Sequence, residues 1–162
     1  MPENPNTSKI ILNNLHIAGK RETNVKINIE FAELEKIYLY CRWADSFSLS
    51  NSIIKSGLGI INCIEVTPLI NDSYIERNVF IGNGMSNFVD AGNPNKDGNL
   101  YIRNNVFLNP LDFAIRCGFN TVVENNSFLN TEKVGISLSA NSIDFKAQNI
   151  DWPGETHNGR AF

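Results

Sequence analysis

At 162 residues, 42% of them apolar, the chain holds enough material for one packed domain. Its net charge of −3, with Lys and Arg scattered and never in a run, excludes the basic footprint of a nucleic-acid binder or of a protein held on an anionic membrane. No stretch approaches the ~18 apolar residues of a membrane-spanning helix.

The chain opens on a polar leader, residues 1–9, which lacks the basic and apolar blocks of a secretory signal. Ile11-Leu12-Asn13-Asn14-Leu15-His16-Ile17 then sets a pattern of β-formers on either side of a polar step that contains asparagine. A shorter apolar run follows at 25–31. Phe31-Ala32-Glu33-Leu34-Glu35-Lys36 has the spacing of one helical turn, and 37–43 reads as an extra strand whose path is left open. The first pattern returns at Leu49-Ser50-Asn51-Ser52-Ile53-Ile54 and at Ile75-Glu76-Arg77-Asn78-Val79-Phe80-Ile81. Ile102-Arg103-Asn104-Asn105-Val106-Phe107-Leu108 and Val123-Glu124-Asn125-Asn126-Ser127-Phe128-Leu129 repeat it, and a worn copy surrounds Asn149. Short apolar runs at 59–66, 88–91, 113–117 and 135–138 alternate with these segments. Residues 151–162 form a tail in which Trp152 can cover an open end.

Asparagine, 25 residues in all, marks the frame. Positions 14, 51, 78, 105, 126 and 149 are separated by 37, 27, 27, 21 and 23 residues. Periods of this size, with a strand on each side of a fixed polar residue, predict an all-β solenoid: a single-domain right-handed parallel β-helix of about five coils over 10–150. Asparagine tolerates the left-handed conformation that a sharp bend requires, and its amide can bond to copies above and below. Phe80, Phe107 and Phe128 then fall into one interior stack, with Asn78, Asn105 and Asn126 in a ladder beside it. His16 takes the place of the phenylalanine in the first coil. The repeat resembles the pectin-lyase-like superfamily of right-handed β-helices, whose degenerate repeats show the same asparagine-x-x-aromatic habit, and the likeness covers roughly residues 11–149.

Placing Ile27, Ile61, Val89, Ile115 and Ile136 as one inward column makes the next residues point outward by period-two alternation. That outward column, Asn28, Asn62, Asp90, Arg116 and Ser137, is the candidate ligand-binding face. Two residues further on come Glu30, Ile64, Gly92, Gly118 and Ser139, where the glycines leave the surface flat. The resemblance also points to a strand face, because polysaccharide-active β-helix enzymes carry their cleft on one. An ordinary ion pair between Asp90 and Arg116 on neighbouring coils is the plain alternative.

The catalytic motifs of that superfamily are missing. There is no triad of aspartates with Gly-His-Gly and Arg-Ile-Lys, no calcium-binding aspartate cluster, and no Asp-Pro-His-Asp. No catalytic residue is therefore assigned, and an enzyme is the less favoured reading. Asn93-Pro94-Asn95-Lys96-Asp97-Gly98-Asn99 has only one carboxylate, so it reads as a turn rather than a calcium loop, and no cofactor is expected. Cys41, Cys63 and Cys117 lack metal-ligand spacing and sit in apolar runs, as free buried thiols compatible with the cytoplasm would. The function expected is carbohydrate binding, with uronate-containing polysaccharide as ligand. The alternatives are a polyuronate lyase, hydrolase or epimerase, and a structural solenoid such as a fibre piece. Open strand edges at the ends lead to the expectation of a homo-oligomer.

Overall fold

A computed structural model describes residues 11–13, 16–18, 26–36, 38–41, 45–55, 62–66, 71–82, 87–91, 98–110, 113–117, 120–130, 134–138 and 146–148. The chain runs through β1 (Ile11–Asn13), β2 (His16–Ala18) and β3 (Lys26–Glu30), then β4 (Glu33–Glu35), β5 (Tyr38–Cys41) and β6 (Ser46–Ser50). There follow β7 (Ile53–Lys55), β8 (Asn62–Val66) and β9 (Ser73–Glu76), then β10 (Val79–Ile81), β11 (Asn87–Ala91) and β12 (Leu100–Arg103). The last six are β13 (Val106–Leu108), β14 (Phe113–Cys117), β15 (Thr121–Glu124), β16 (Ser127–Leu129), β17 (Val134–Leu138) and β18 (Lys146–Gln148). The described residues are all-β and contain no helix.

Every pairing is parallel, and each strand pairs with the strand three places along the chain. This produces three six-stranded sheets: a first from β1, β4, β7, β10, β13 and β16, a second from β2 to β17, and a third from β3 to β18. The chain therefore visits the three sheets in rotation, six times, where about five passes were expected from the sequence. The additional pass is the segment whose path was open. Residues 33–35 form β4, opposite both Ile11 and Ile53, and not the helical turn that their spacing allows. Leu34 explains the outcome: as a strand residue it is fully buried in the interior column of the first sheet.

That column runs Leu34, Ile54, Phe80, Phe107 and Phe128, all in register. Phe80 and Phe107 stack with centroids 4.7 Å apart, and Phe107 and Phe128 at 5.1 Å, as the repeat predicts. The second sheet contributes Leu39, Ile64, Val89 and Ile115, and the third Leu49, Ile75, Ile102 and Val123, all fully buried. His16 does not sit under the phenylalanines. It pairs with Tyr38 in the second sheet, while Leu12 lies opposite Leu34.

The bend from third to first sheet divides its work between two adjacent residues. Asn51, Arg77, Asn104 and Asn125 adopt the left-handed conformation, with φ of 50, 57, 57 and 51°. The residues just after them, Ser52, Asn78, Asn105 and Asn126, are buried and form the ladder. Asn105 Oδ1 accepts from the Asn78 backbone N–H at 2.9 Å and from Asn78 Nδ2 at 3.1 Å. Asn126 Oδ1 accepts from the same two groups of Asn105, at 2.9 and 3.0 Å. Each ladder amide also donates to a backbone carbonyl, Asn78 to Leu49, Asn105 to Ile75 and Asn126 to Ile102. Asn51 is thus a bend residue, and Ser52 continues the ladder by accepting the Ala32 N–H on its hydroxyl at 3.0 Å. Asn14 and Asn149 lie outside the described residues.

The bend after the first sheet is tight. Lys36, Asn109 and Asn130 take positive φ there, and the Gly82 N–H donates to Leu108 O at 2.7 Å. A Cβ on Gly82 would stand 2.1 Å from the Asn109 carbonyl oxygen, which is backbone and cannot swing away. Gly82→Ala is therefore expected to destabilise the fold by about 1–3 kcal/mol, the range for an overpacked site. Urea unfolding checks this, and an unchanged midpoint would contradict it. Cys117 is buried, and burial pushes its thiol pKa up, which keeps it unreactive. The side chains of Cys41 and Cys63 lie outside the described residues.

Candidate functional site

The second sheet presents the charged pair singled out in the sequence. Val89 and Ile115 pair on adjacent strands, and the next residues, Asp90 and Arg116, face one another across the same step. Arg116 Nε donates to Asp90 Oδ1 at 2.8 Å, and a terminal nitrogen donates to Oδ2, so the contact is bidentate. The Asp90 side chain is only 4% exposed, whereas that of Arg116 is 47% exposed. The guanidinium also lies over the Phe113 ring, 5.6 Å from its centroid. Arg116 is thus fixed on two sides and open on a third.

Strict alternation fails beside this pair, because Phe88, Val89 and Asp90 are all buried. Phe88 reaches the interior stack, 5.4 Å from Phe80 and 5.9 Å from Phe107. Its counterpart one strand on is Ala114, a residue too small to compete for that space.

Only three of the five expected site residues share this column. The register runs Tyr40, Glu65, Asp90, Arg116 and Ser137. Asn62 lies on the same sheet but at the start of its strand, opposite Asn87. The cause is Ile64, expected to face outward but in fact fully buried opposite Leu39 and Val89. With Ile61 and Ile64 both available as apolar anchors, alternation alone allows two frames. Asn28 belongs to another sheet, opposite Ser48. The run 25–31 has the same apolar pattern as the second-sheet runs, and once 33–35 forms a strand it must occupy the third sheet. Of the second outward column, Glu30 likewise sits on the third sheet, and Gly92, Gly118 and Ser139 lie outside the described residues. So do residues 93–97 of the loop weighed for calcium. Among the described residues no group of three His, Cys, Asp or Glu side chains is placed to hold a metal ion.

A second polar surface, on the third sheet, did not emerge from the sequence reading. Asn28, Ser48, Tyr74, Tyr101 and Val122 form one outward column. Tyr74 and Tyr101 stack with centroids 5.3 Å apart and planes 11° from parallel. The Arg103 guanidinium lies 5.3 and 5.8 Å from the two ring centroids. Glu76 holds it through a 2.7 Å bond to Nε, and that bond raises the Arg103 pKa still further. Glu76 also pairs with Arg77 at 2.7 Å, whose Nε donates to Asn51 Oδ1, and Asn51 in turn donates to Glu30. A signal was available: both tyrosines stand four residues before a ladder asparagine.

No family model, curated protein or solved structure matches the chain.

Proposed function

We propose that the chain is a right-handed parallel β-helix of the pectin-lyase-like kind that binds carbohydrate along an outer sheet face. The rotation through three sheets, with pairing only between successive passes, supports a solenoid. The right hand follows from the near-universal handedness of parallel crossovers. The observation that carries the binding reading is Arg116, nearly half exposed yet pinned by Asp90 and Phe113. A guanidinium held in place loses little entropy when it engages a carboxylate, so a uronate sugar is the ligand class that fits. Asp90 acts as the positioning residue, since both its oxygens are engaged by Arg116.

The test must respect the burial of Asp90. Arg116→Ala alone would strand a buried carboxylate and cost stability. The paired variant Asp90→Asn with Arg116→Gln removes both charges and keeps the shape. Isothermal titration with oligogalacturonate should show the affinity of this variant fall at least about tenfold, or ~1.4 kcal/mol, with neutral oligosaccharides unaffected. Equal loss for both ligand classes, or no uronate binding by the natural chain, rejects the reading.

One observation favours a structural role instead. The outward side of the first sheet carries an apolar patch beside the Glu33–Lys55 ion pair: Ile53 is 40% exposed, and Val79, Ile81, Val106, Leu108 and Leu129 are half-buried. A patch of this kind suits assembly with other chains, the homo-oligomer among them.

A further inference from the structure

The strongest unassigned feature is the column that contains Asn28. Its outward residues change abruptly in size: Asn28, then Ser48, then the stacked pair Tyr74 and Tyr101. Stacking covers the face of Tyr74 that looks toward Tyr101. The opposite face looks along the column toward Ser48, whose hydroxymethyl is too short to cover an aromatic ring. One strand step spans ~4.8 Å, so Tyr74 and Asn28 stand two steps, roughly 9–10 Å, apart over Ser48. That leaves a slot with the Tyr74 ring as one wall, the exposed Asn28 side chain as the other and Ser48 as the floor.

Among the described residues, no hydrogen bond is made by the side chains of Asn28 and Ser48 or by the phenol hydroxyls of Tyr74 and Tyr101. Among the described residues Arg103 hydrogen-bonds through Nε alone, to Glu76. The charges nearby balance. Arg103 faces Glu76 and Glu124 on the adjacent strands, Arg77 pairs with Glu76, and Lys26 and Glu30 flank Asn28 on its own strand. A free anion would find no net positive field here.

The geometry points to a second sugar site in this slot, one that takes a single pyranose ring of an uncharged glycan. The ring would lie with its C–H face on Tyr74. Its hydroxyls would meet the Asn28 amide, which both donates and accepts, together with the Ser48 and tyrosine hydroxyls. The thickness of the slot suits one ring, so neighbouring sugars of the chain extend over the sheet rather than into it. This site is on a different sheet from Arg116, and it does not rest on the uronate reading.

The experiment uses the full chain labelled with ¹³C at the tyrosine rings, titrated with cellohexaose, mannohexaose and xylohexaose. At least one should shift the Tyr74 ring signals saturably. Tyr74→Ala should weaken that binding about tenfold or more, while Tyr74→Phe keeps it within about threefold, because the ring face is retained. Ser48→Phe, which fills the slot from a half-buried outward position, should abolish binding. Circular dichroism establishes that this variant is folded, and Ser48→Gln serves in its place if it is not. The paired Asp90→Asn, Arg116→Gln variant should bind these neutral glycans unchanged. The inference is overturned if none of the three sugars moves the Tyr74 signals, or if binding survives with the slot filled. If the sugars respond to the Arg116 pair and not to Tyr74, the slot is refuted, and so is the selectivity of the second-sheet face for uronates. The converse result supports the slot and leaves the uronate reading of the second-sheet face to its own titration with oligogalacturonate.

Discussion

Phe107→Ala should lower the free energy of unfolding by ~3–5 kcal/mol, the cost of truncating a fully buried aromatic. Phe107 is the middle ring of three. It stacks on Phe80 at 4.7 Å and on Phe128 at 5.1 Å, and it also touches Phe88 at 5.9 Å. Its loss opens a void between two rings that stay fixed by their own strand pairings, so the site can collapse little. Phe107→Leu should recover much of the loss, because it refills most of the volume. Guanidinium titration followed by circular dichroism measures both variants. A loss below about 1 kcal/mol for the alanine would mean that the rings do not form one interior stack.

Asn105→Leu is the second large effect, expected at about 3 kcal/mol or more from the number of buried groups it strands. Asn105 is only 1% exposed. Its Oδ1 serves two donors of Asn78, and its Nδ2 serves Ile75 O and Asn126 Oδ1. Leucine has similar bulk and offers none of these bonds, so the comparison separates hydrogen bonding from packing. Replacing the neighbouring bend residue tests the opposite property. Asn104 is exposed with φ of 57°, so Asn104→Gly should be near neutral and Asn104→Val should not be. Thermal melts of the three variants give the order, and a harmless Asn105→Leu would remove the ladder from any account of stability.

The frame of the fold was readable where two signals coincided. Phe80, Phe107 and Phe128 each follow an asparagine pair or its equivalent, so strand, bend and stack could be placed together. At Asn51 only one signal is present, and the asparagine that marks the frame stands one residue before the ladder position, which Ser52 occupies. Serine satisfies the same requirement, a short buried acceptor for a backbone N–H, and residue identity does not reveal it. The error at 31–36 is of another kind. Glu33, Leu34, Glu35 and Lys36 fit a helical turn locally, and only the interior place waiting for Leu34 makes them a strand. The candidate face suffered from this long-range dependence. Asp90 and Arg116 were found because Val89 and Ile115 fix their strands, but Asn28 and Asn62 sit in runs whose sheet or frame is set by distant pairings. Tyr74 and Tyr101 are single tyrosines in separate strands, and only the register that pairs them turns them into a stacked surface.

The asparagine ladder also has a direction. In each rung the side-chain oxygen accepts from the preceding pass of the chain, and Asn78 and Asn105 each send one amide proton on to the rung of the following pass. The side-chain amide dipoles therefore align head to tail along the stack and polarise one another, so an inner rung such as Asn105 is held more strongly than an isolated amide would be. At the early end the array finishes on lone pairs, which Ser52 caps with its backbone N–H. Among the described residues the last rung is Asn126, whose amide nitrogen donates to Ile102 O. A rung that continues this direction past Asn126 has to offer an acceptor, and a lysine or arginine in that place would face the positive pole of the column.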